Sequence, residues 1–267
     1  MPEFNRNIVN RLWAMLFGRG LVHPLDLHHG DNPPSHPELL ESLANEFAAS
    51  GYNFKVFLRE LALSRAYARS SEPAPGLSSP EDSAPERFTV AALRPLTPEQ
   101  MAWSLMQAAG IVAGTQADVE RQLLGVDPRL RDLVQVDEAR RRLGAELIER
   151  RVYDRLKGNA GPFVAQFGRA PGQSQDGGDS TVHQALFLAN GQPVQSWLAA
   201  LAGRVSAIAD TTAAADELYL SVLTRRPTAA ERDELAGYLA PRAGDRARAV
   251  GELAWALATS TEFRFNH

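Results

Sequence analysis

The chain has 267 residues, a formal net charge of -4 at pH 7 and no cysteine. This length is enough for a substantial buried core in one large or two small domains. The acidic balance disfavours nucleic acid or an anionic membrane as a partner, and no apolar run reaches the roughly 18 residues of a membrane span. The lack of cysteine excludes disulfides, thiolate catalysis, Cys-ligated zinc and covalent haem attachment, and we expect no cofactor.

The N-terminal part of the chain predicts three helices. An apolar stripe of period 3.6 runs over residues 5–17, and Gly18 would end that helix. The segment "SHPELLESLANEFAAS" places Ser35 as a predicted N-cap and Glu38 at capping-box spacing. In "YNFKVFLRELALSRAY" a third helix is predicted, with an inner face made of Phe54, Phe57, Leu58 and Leu61.

Two irregular stretches interrupt the helical pattern further along the chain. "SSEPAPGLSSPEDSAPERFT" predicts a Pro/Ser-rich linker over residues 70–89, and "FGRAPGQSQDGGDST" predicts a long ordered loop over residues 167–181. Helical periodicity resumes after each stretch, and no convincing pair of strands is found. The sequence therefore predicts an all-α fold, an irregular multi-helix domain with long ordered loops.

The domain boundaries follow from the same pattern. We expect a single all-helical domain over residues 1–267, with residues 1–69 and 90–267 as possible subdomains on either side of the linker.

Two further capping boxes support the predicted starts of two helices in the second part of the chain. They pair Thr97 with Gln100 and Thr228 with Glu231.

The loop after the first helix collects candidate metal ligands within "FGRGLVHPLDLHHGDNPPSHPELL". Imidazole nitrogens and carboxylate oxygens of Asp26, His28, His29 and Asp31 are of the types that bind zinc, manganese or iron. Adjacent histidines would need an irregular backbone to face one ion, and no His-Glu-x-x-His helix accompanies them. The alternative is a surface joint, in which Asp31 and the following asparagine form a turn into the prolines.

Two arginines beside this loop define a second candidate site. Arg11 and Arg19 could orient an anionic ligand, or could form structural ion pairs with a loop carboxylate such as Asp26. The candidate ligand-binding residues are thus Arg11, Arg19, Asp26 and Asp31. The second irregular stretch and the residues just after it contain nucleophile, base and acid types that could form a catalytic site, namely Arg169, Asp176, Asp179, Ser180, Thr181 and His183. The alternative is that Ser180 or Thr181 caps the following helix, with Asp179 complementing the helix dipole. A set of aromatic residues is expected mainly in the core, namely Trp103, Trp197, Tyr219, Trp255, Phe263 and Phe265.

Several segments together resemble a known family. They are "NRLWAMLFGRGLV", "DNPPSHPELLESLANEF", "SGYNFKVFLRELALSRAY", "QALFLANG", "LYLSVLTRRPTAAERDELAGYL" and "ELAWALATSTEFRFNH". In this order they are similar to the planctomycete secreted-domain family of unknown function. The resemblance implies a helical, exported bacterial domain. It also implies a place in the C-terminal part of a larger protein, with a sister domain of unknown function and often a planctomycete-type cytochrome c domain.

Three functions remain open at this point. The leading hypothesis is a non-catalytic interaction or scaffolding module of a larger exported protein. Its partners would be other domains of that protein or an exported protein, in the periplasm or outside the cell. One alternative is a hydrolase acting on extracellular polymer, with its site at the loop of residues 26–31 and Arg11 or Arg19. The other is a carbohydrate-binding accessory domain that uses an exposed aromatic residue. The chain starts without a signal-peptide pattern, so the expectation is either a cytoplasmic protein or a domain cut from an exported parent.

Overall fold

The computed structural model describes residues 2–72, 84–126, 138–168 and 182–266. Much of the predicted linker and nearly all of the predicted loop over residues 167–181 lie outside these ranges. The candidates Arg169, Asp176, Asp179, Ser180 and Thr181 therefore lie outside the described residues. In the described ranges the chain is helical apart from turns and two strands of two residues each, which confirms the all-α fold.

Contacts divide the chain into two compact units, Met1–Arg94 and Pro95–Asn266. The prediction that both belong to one continuous domain stays a prediction. The strand β1 (Arg94–Pro95) straddles the boundary, and the strand β2 (Phe265–Asn266) ends unit 2. Each unit has its own hydrophobic core.

Unit 1 contains the helices α1 (Pro2–Phe17), α2 (Pro37–Ala49) and α3 (Phe54–Ala62), followed by a 3-10 turn at Pro85–Arg87. Its core is formed by the buried side chains Val9, Leu12, Trp13, Leu21, Val22, Leu40, Phe47, Phe57 and Leu61. The predicted inner face of α3 is confirmed for Phe57 and Leu61, whereas Phe54 is 46% exposed and contacts the buried Phe47 only along an edge. Asn53 caps α3 by accepting a hydrogen bond from the Val56 N–H.

The predicted capping box at the start of α2 is wrong. The N-cap residue is His36, and its side chain makes no capping hydrogen bond. The Ser35 hydroxyl and backbone N–H instead both donate to the Leu21 carbonyl, at 3.1 and 2.7 Å. Since the proline at the first helical position has no N–H to satisfy, the helix start needs less capping and the serine is used to hold the loop.

A fully buried asparagine fixes the loop that follows α1. The side-chain amide of Asn10 donates to the Val22 carbonyl at 2.9 Å, and its oxygen accepts from the Val22 N–H at 2.9 Å. This side chain thus satisfies both backbone groups of a buried residue. Gly20 permits the close approach, because a β-carbon there would lie 2.8 Å from the Asn10 oxygen and would also collide with the Val22 carbonyl.

Unit 2 consists of a longer series of helices. They are α4 (Pro98–Ala108), α5 (Ile111–Val126), α6 (Glu138–Leu156), α7 (Gly161–Phe167), α8 (Val182–Asn190), α9 (Gln192–Ser206), α10 (Thr211–Leu223), α11 (Ala229–Leu239), α12 (Arg246–Ala258) and α13 (Thr261–Arg264). Short 3-10 turns at Lys157–Ala160 and Ala240–Asp245 precede α7 and α12. Both capping boxes predicted in this region are confirmed, at the starts of α4 and α11.

The core of unit 2 is centred on aromatic contacts of a buried phenylalanine. Phe163 stacks on Trp197 with ring centroids 5.7 Å apart and meets Phe187 edge to face at 5.1 Å. Such pairs stabilise a core beyond the area that they bury. The expected burial of Trp197, Tyr219 and Phe263 is confirmed, since each is less than a tenth exposed.

An arginine between α10 and α11 ties three segments of unit 2 together. The Arg225 guanidinium donates to the carboxylate of Glu231 on α11 at 2.7 and 2.9 Å, and to that of Glu262 on α13 at 2.5 and 2.9 Å. The hydrogen bonds from Arg225 and from the Thr228 backbone lower the pKa of Glu231 to about 2. The Glu231 carboxylate also completes the capping box of α11. Glu231 therefore fixes both the start of α11 and the position of Arg225.

Asn10→Ala tests the joint between α1 and the loop. The variant leaves the N–H and carbonyl of Val22 buried without their partner, so we expect the free energy of unfolding to fall by about 2–4 kcal/mol. The matched control is Asn7→Ala on the same helix, which removes only the exposed hydrogen bond from Arg11 and should change it by less than about 1 kcal/mol. Denaturant unfolding of the purified proteins measures both, and equal effects would contradict the structural role of Asn10.

Candidate functional site

The structure brings together only part of the predicted ligand site in unit 1. The Arg11 guanidinium donates to the Asp26 carboxylate across the loop, and its Nε donates to Asn7 Oδ1 at 3.2 Å. Both partners of the ion pair are at least half exposed, so the pair contributes no more than about 1 kcal/mol to stability. Arg19 is partly buried, and no hydrogen bond in the described part of the chain joins it to Asp26 or Asp31.

One of the two adjacent histidines of the loop, His29, takes part in a local turn. The Asp31 N–H donates to His29 Nδ1 at 3.2 Å, and the Asp31 carboxylate is 3.9 Å from the same nitrogen. The Asn32 amide donates to the Leu27 carbonyl at 2.7 Å, which closes the turn before the prolines. Among residues 2–72, 84–126, 138–168 and 182–266, no three His, Asp or Glu side chains are grouped so that they could hold a metal ion. The ligand and metal assignments stay predictions.

A groove in unit 2 is a concave surface with room for a ligand, and it is lined by described residues. Its volume is about 950 Å³, and it lies along the seam of α9 and α12, with Tyr238 of α11 at one side. Small residues make up much of its lining, Ala199, Ala202, Gly203 and Gly251 among them. A β-carbon on Gly251 would be in ordinary contact with the Ala202 methyl group, at 3.6 Å. The seam therefore owes its open space to the absence of larger side chains.

Trp255 stands at one end of this groove in a fixed orientation. Its indole N–H donates to the Leu188 carbonyl at 3.1 Å, and 39% of the residue is exposed. The expectation that Trp255 belongs to the core is therefore only partly met. The buried face of α12 includes Ala254 and Ala258 beside Ala249 and Val250, so the large ring of Trp255 lies at the edge of that face. The helical position of Trp255 relative to those alanines was the sequence feature that could have predicted this exposure.

A hydrogen-bonded polar group forms the rim of the groove. The Tyr238 hydroxyl donates to Glu252 Oε2 at 2.5 Å, and the Arg248 Nε donates to Glu252 Oε1 at 3.1 Å. The Arg242 guanidinium lies 3.9 Å from the centre of the Tyr238 ring. The hydrogen bond from Tyr238 lowers the pKa of Glu252, so this carboxylate is ionised at neutral pH. The rim thus offers a fixed acceptor beside the remaining donors of Arg248.

Fold and groove together define an all-α protein with a preformed concave surface. The chain belongs to the family PSD1, described as a protein of unknown function (DUF1553), whose model matches residues 1–239. This confirms the predicted membership of a family of unknown function. Searches among curated proteins and among solved structures each found no match. Within the described residues, no helix combines the length and apolar character needed to cross a membrane.

Zinc titration tests whether the histidine loop binds a metal. The Arg11 guanidinium lies beside the Asp26 carboxylate, and its positive charge opposes binding of a cation there. We therefore expect added Zn²⁺ to leave the thermal unfolding of the protein unchanged. The control is the double variant His28→Ala/His29→Ala. A genuine site would stabilise the wild-type protein by about 2.7 kcal/mol at a hundredfold excess over its Kd, and the variant would lose this gain. That result would contradict the interpretation of the loop as a joint.

Proposed function

We propose that this chain is a non-catalytic interaction or scaffolding module of a larger exported bacterial protein, of planctomycete type. The observation that carries the proposal is the groove between α9 and α12 in unit 2. A preformed concave surface with an apolar floor and a few ordered polar groups is the usual form of a binding site. The module would hold its parent protein to another molecule through this groove, in the periplasm or outside the cell.

The protonation state of Glu252 at the rim of the groove favours binding of a ligand over catalysis of its conversion. A general acid needs a carboxyl group whose pKa is raised towards neutral pH. The pKa of Glu252 is lowered instead, because Tyr238 donates a hydrogen bond to its charged form. An ionised carboxylate with one hydrogen bond to each oxygen is a good acceptor for a ligand and a poor proton donor.

The hydrolase alternative rests on the loop of residues 26–31. The geometry of this loop supports catalysis less well than the groove supports binding. Asp26 is already paired with Arg11, and both side chains lie open to solvent. Catalytic carboxylates usually act in clefts that exclude water, whereas the Asp26 side chain is 70% exposed. The partners that we propose for the module as a whole remain other domains of the parent protein or an exported protein, and the groove would hold a part of such a partner that is small enough to enter it.

Site-specific crosslinking tests the interaction function in the full-length protein. A small diazirine amino acid would replace Ala199, which lines the groove, and in a separate variant Ala200, its exposed neighbour on α9 outside the groove. In the bacterium that makes the protein, we expect irradiation to yield an adduct of the Ala199 variant and little or none of the Ala200 variant. Denaturing gels with mass spectrometry measure the yields.

The two positions make the crosslinking result decisive. Both lie on the same exposed stretch of α9, so random collisions would label them equally. Equal yields, or no adduct from either position, would contradict an interaction through the groove. An adduct of any chemical class at position 199 alone supports it.

A further inference from the structure

The size of the groove limits what it can hold. Its volume of about 950 Å³ lies at the upper end of the roughly 300–1,000 Å³ typical of ligand sites. Thirteen described residues line it, whereas a stable protein interface takes about 20–30 residues from each partner. The groove is therefore the right size for a small ligand or a short segment of a polymer, and small for a folded protein partner.

The orientation of Trp255 favours a ligand with a flat apolar face. The hydrogen bond from its indole N–H to the Leu188 carbonyl fixes the ring, while more than a third of the residue stays open. A rigid aromatic surface loses little conformational entropy when a ligand stacks on it. The small side chains of Ala199 and Gly203 leave space beside the ring for the ligand to lie in.

The rim favours a ligand rich in hydroxyl groups. Glu252 accepts one hydrogen bond at each oxygen, and each carboxylate oxygen can accept another. Arg248 uses its Nε on Glu252, and its side chain is 75% exposed, so its outer N–H groups face solvent. A hydroxyl can donate to the carboxylate and accept from the guanidinium at once, and adjacent hydroxyls on one ring suit such a pair.

We infer that the groove binds a carbohydrate chain, with the apolar face of one sugar ring stacked on Trp255 and ring hydroxyls bound between Glu252 and Arg248. The inference rests on the proposed function and names the ligand class of the same groove. A peptide helix would also find an apolar lining, but most of its backbone donors and acceptors are bonded within the helix, so only its side chains could bind the acceptor and donor at the rim. Carbohydrate binding therefore accounts for both the aromatic and the polar part of the groove.

The inference is tested with purified polysaccharides and their oligosaccharides, neutral and uronic-acid types, by affinity electrophoresis and calorimetry on the full chain. We expect at least one to bind saturably, and Trp255→Ala to weaken that binding about tenfold or more by removing the stacked ring. Trp255→Phe keeps an aromatic face and should retain part of the affinity. Circular dichroism would verify that each variant is folded.

A matched pair of variants keeps the test independent of Trp255. Ala199→Trp fills the groove and should abolish binding, whereas Ala200→Trp adds the same side chain outside it and should leave the affinity within about twofold. Failure of every saccharide to bind, or equal binding by both tryptophan variants, would overturn the inference. If crosslinking at position 199 still succeeded, the interaction function would stand and only its ligand class would be wrong.

Discussion

The candidate function depends on one packing constraint, the close approach of α9 and α12 through small side chains. Gly251 lies over Ala202, and alanines and glycines continue along the seam. Because nothing larger fills the space above them, the two helices form a groove rather than a closed interface. The same constraint places Trp255 at the edge of the buried face, where the Leu188 carbonyl orients it. The shape of the groove and the position of its aromatic ring thus follow from the same packing of α9 against α12.

The histidine loop of unit 1 owes its form to a different constraint. Asn10 satisfies both backbone groups of Val22, Gly20 leaves room for that contact, and Ser35 binds the neighbouring Leu21 carbonyl. These three residues fix the backbone of the loop, Asn10 and Gly20 from buried positions. The candidate ligand side chains of the loop lie on its exposed surface, where Arg11 pairs with Asp26 and His29 takes part in a turn. The contacts described for the loop fit the interpretation as a structural joint, and the metal and ligand assignments stay predictions.

The sequence predicted the fold better than the site, for physical reasons. Helical periodicity and the capping boxes at Thr97 and Thr228 are local features, so they could be identified without tertiary contacts. The cap at Ser35 was wrong because a distant carbonyl, that of Leu21, competes for the hydroxyl. The groove joins α9, α11 and α12, and its residues are ordinary alanines, glycines and surface charges in the sequence. Only tertiary packing brings them together, so no spacing pattern could indicate the site.

The most direct measurement is a nuclear magnetic resonance titration that follows the indole N–H signals of the four tryptophans. Trp255 contacts the proposed ligand, whereas Trp13 and Trp197 are buried in the cores of their units. With an added oligosaccharide that binds the chain, the Trp255 signal should shift saturably, and those of Trp13 and Trp197 should stay in place. Saturable binding that leaves the Trp255 signal unmoved would contradict the assignment of the groove as the binding site.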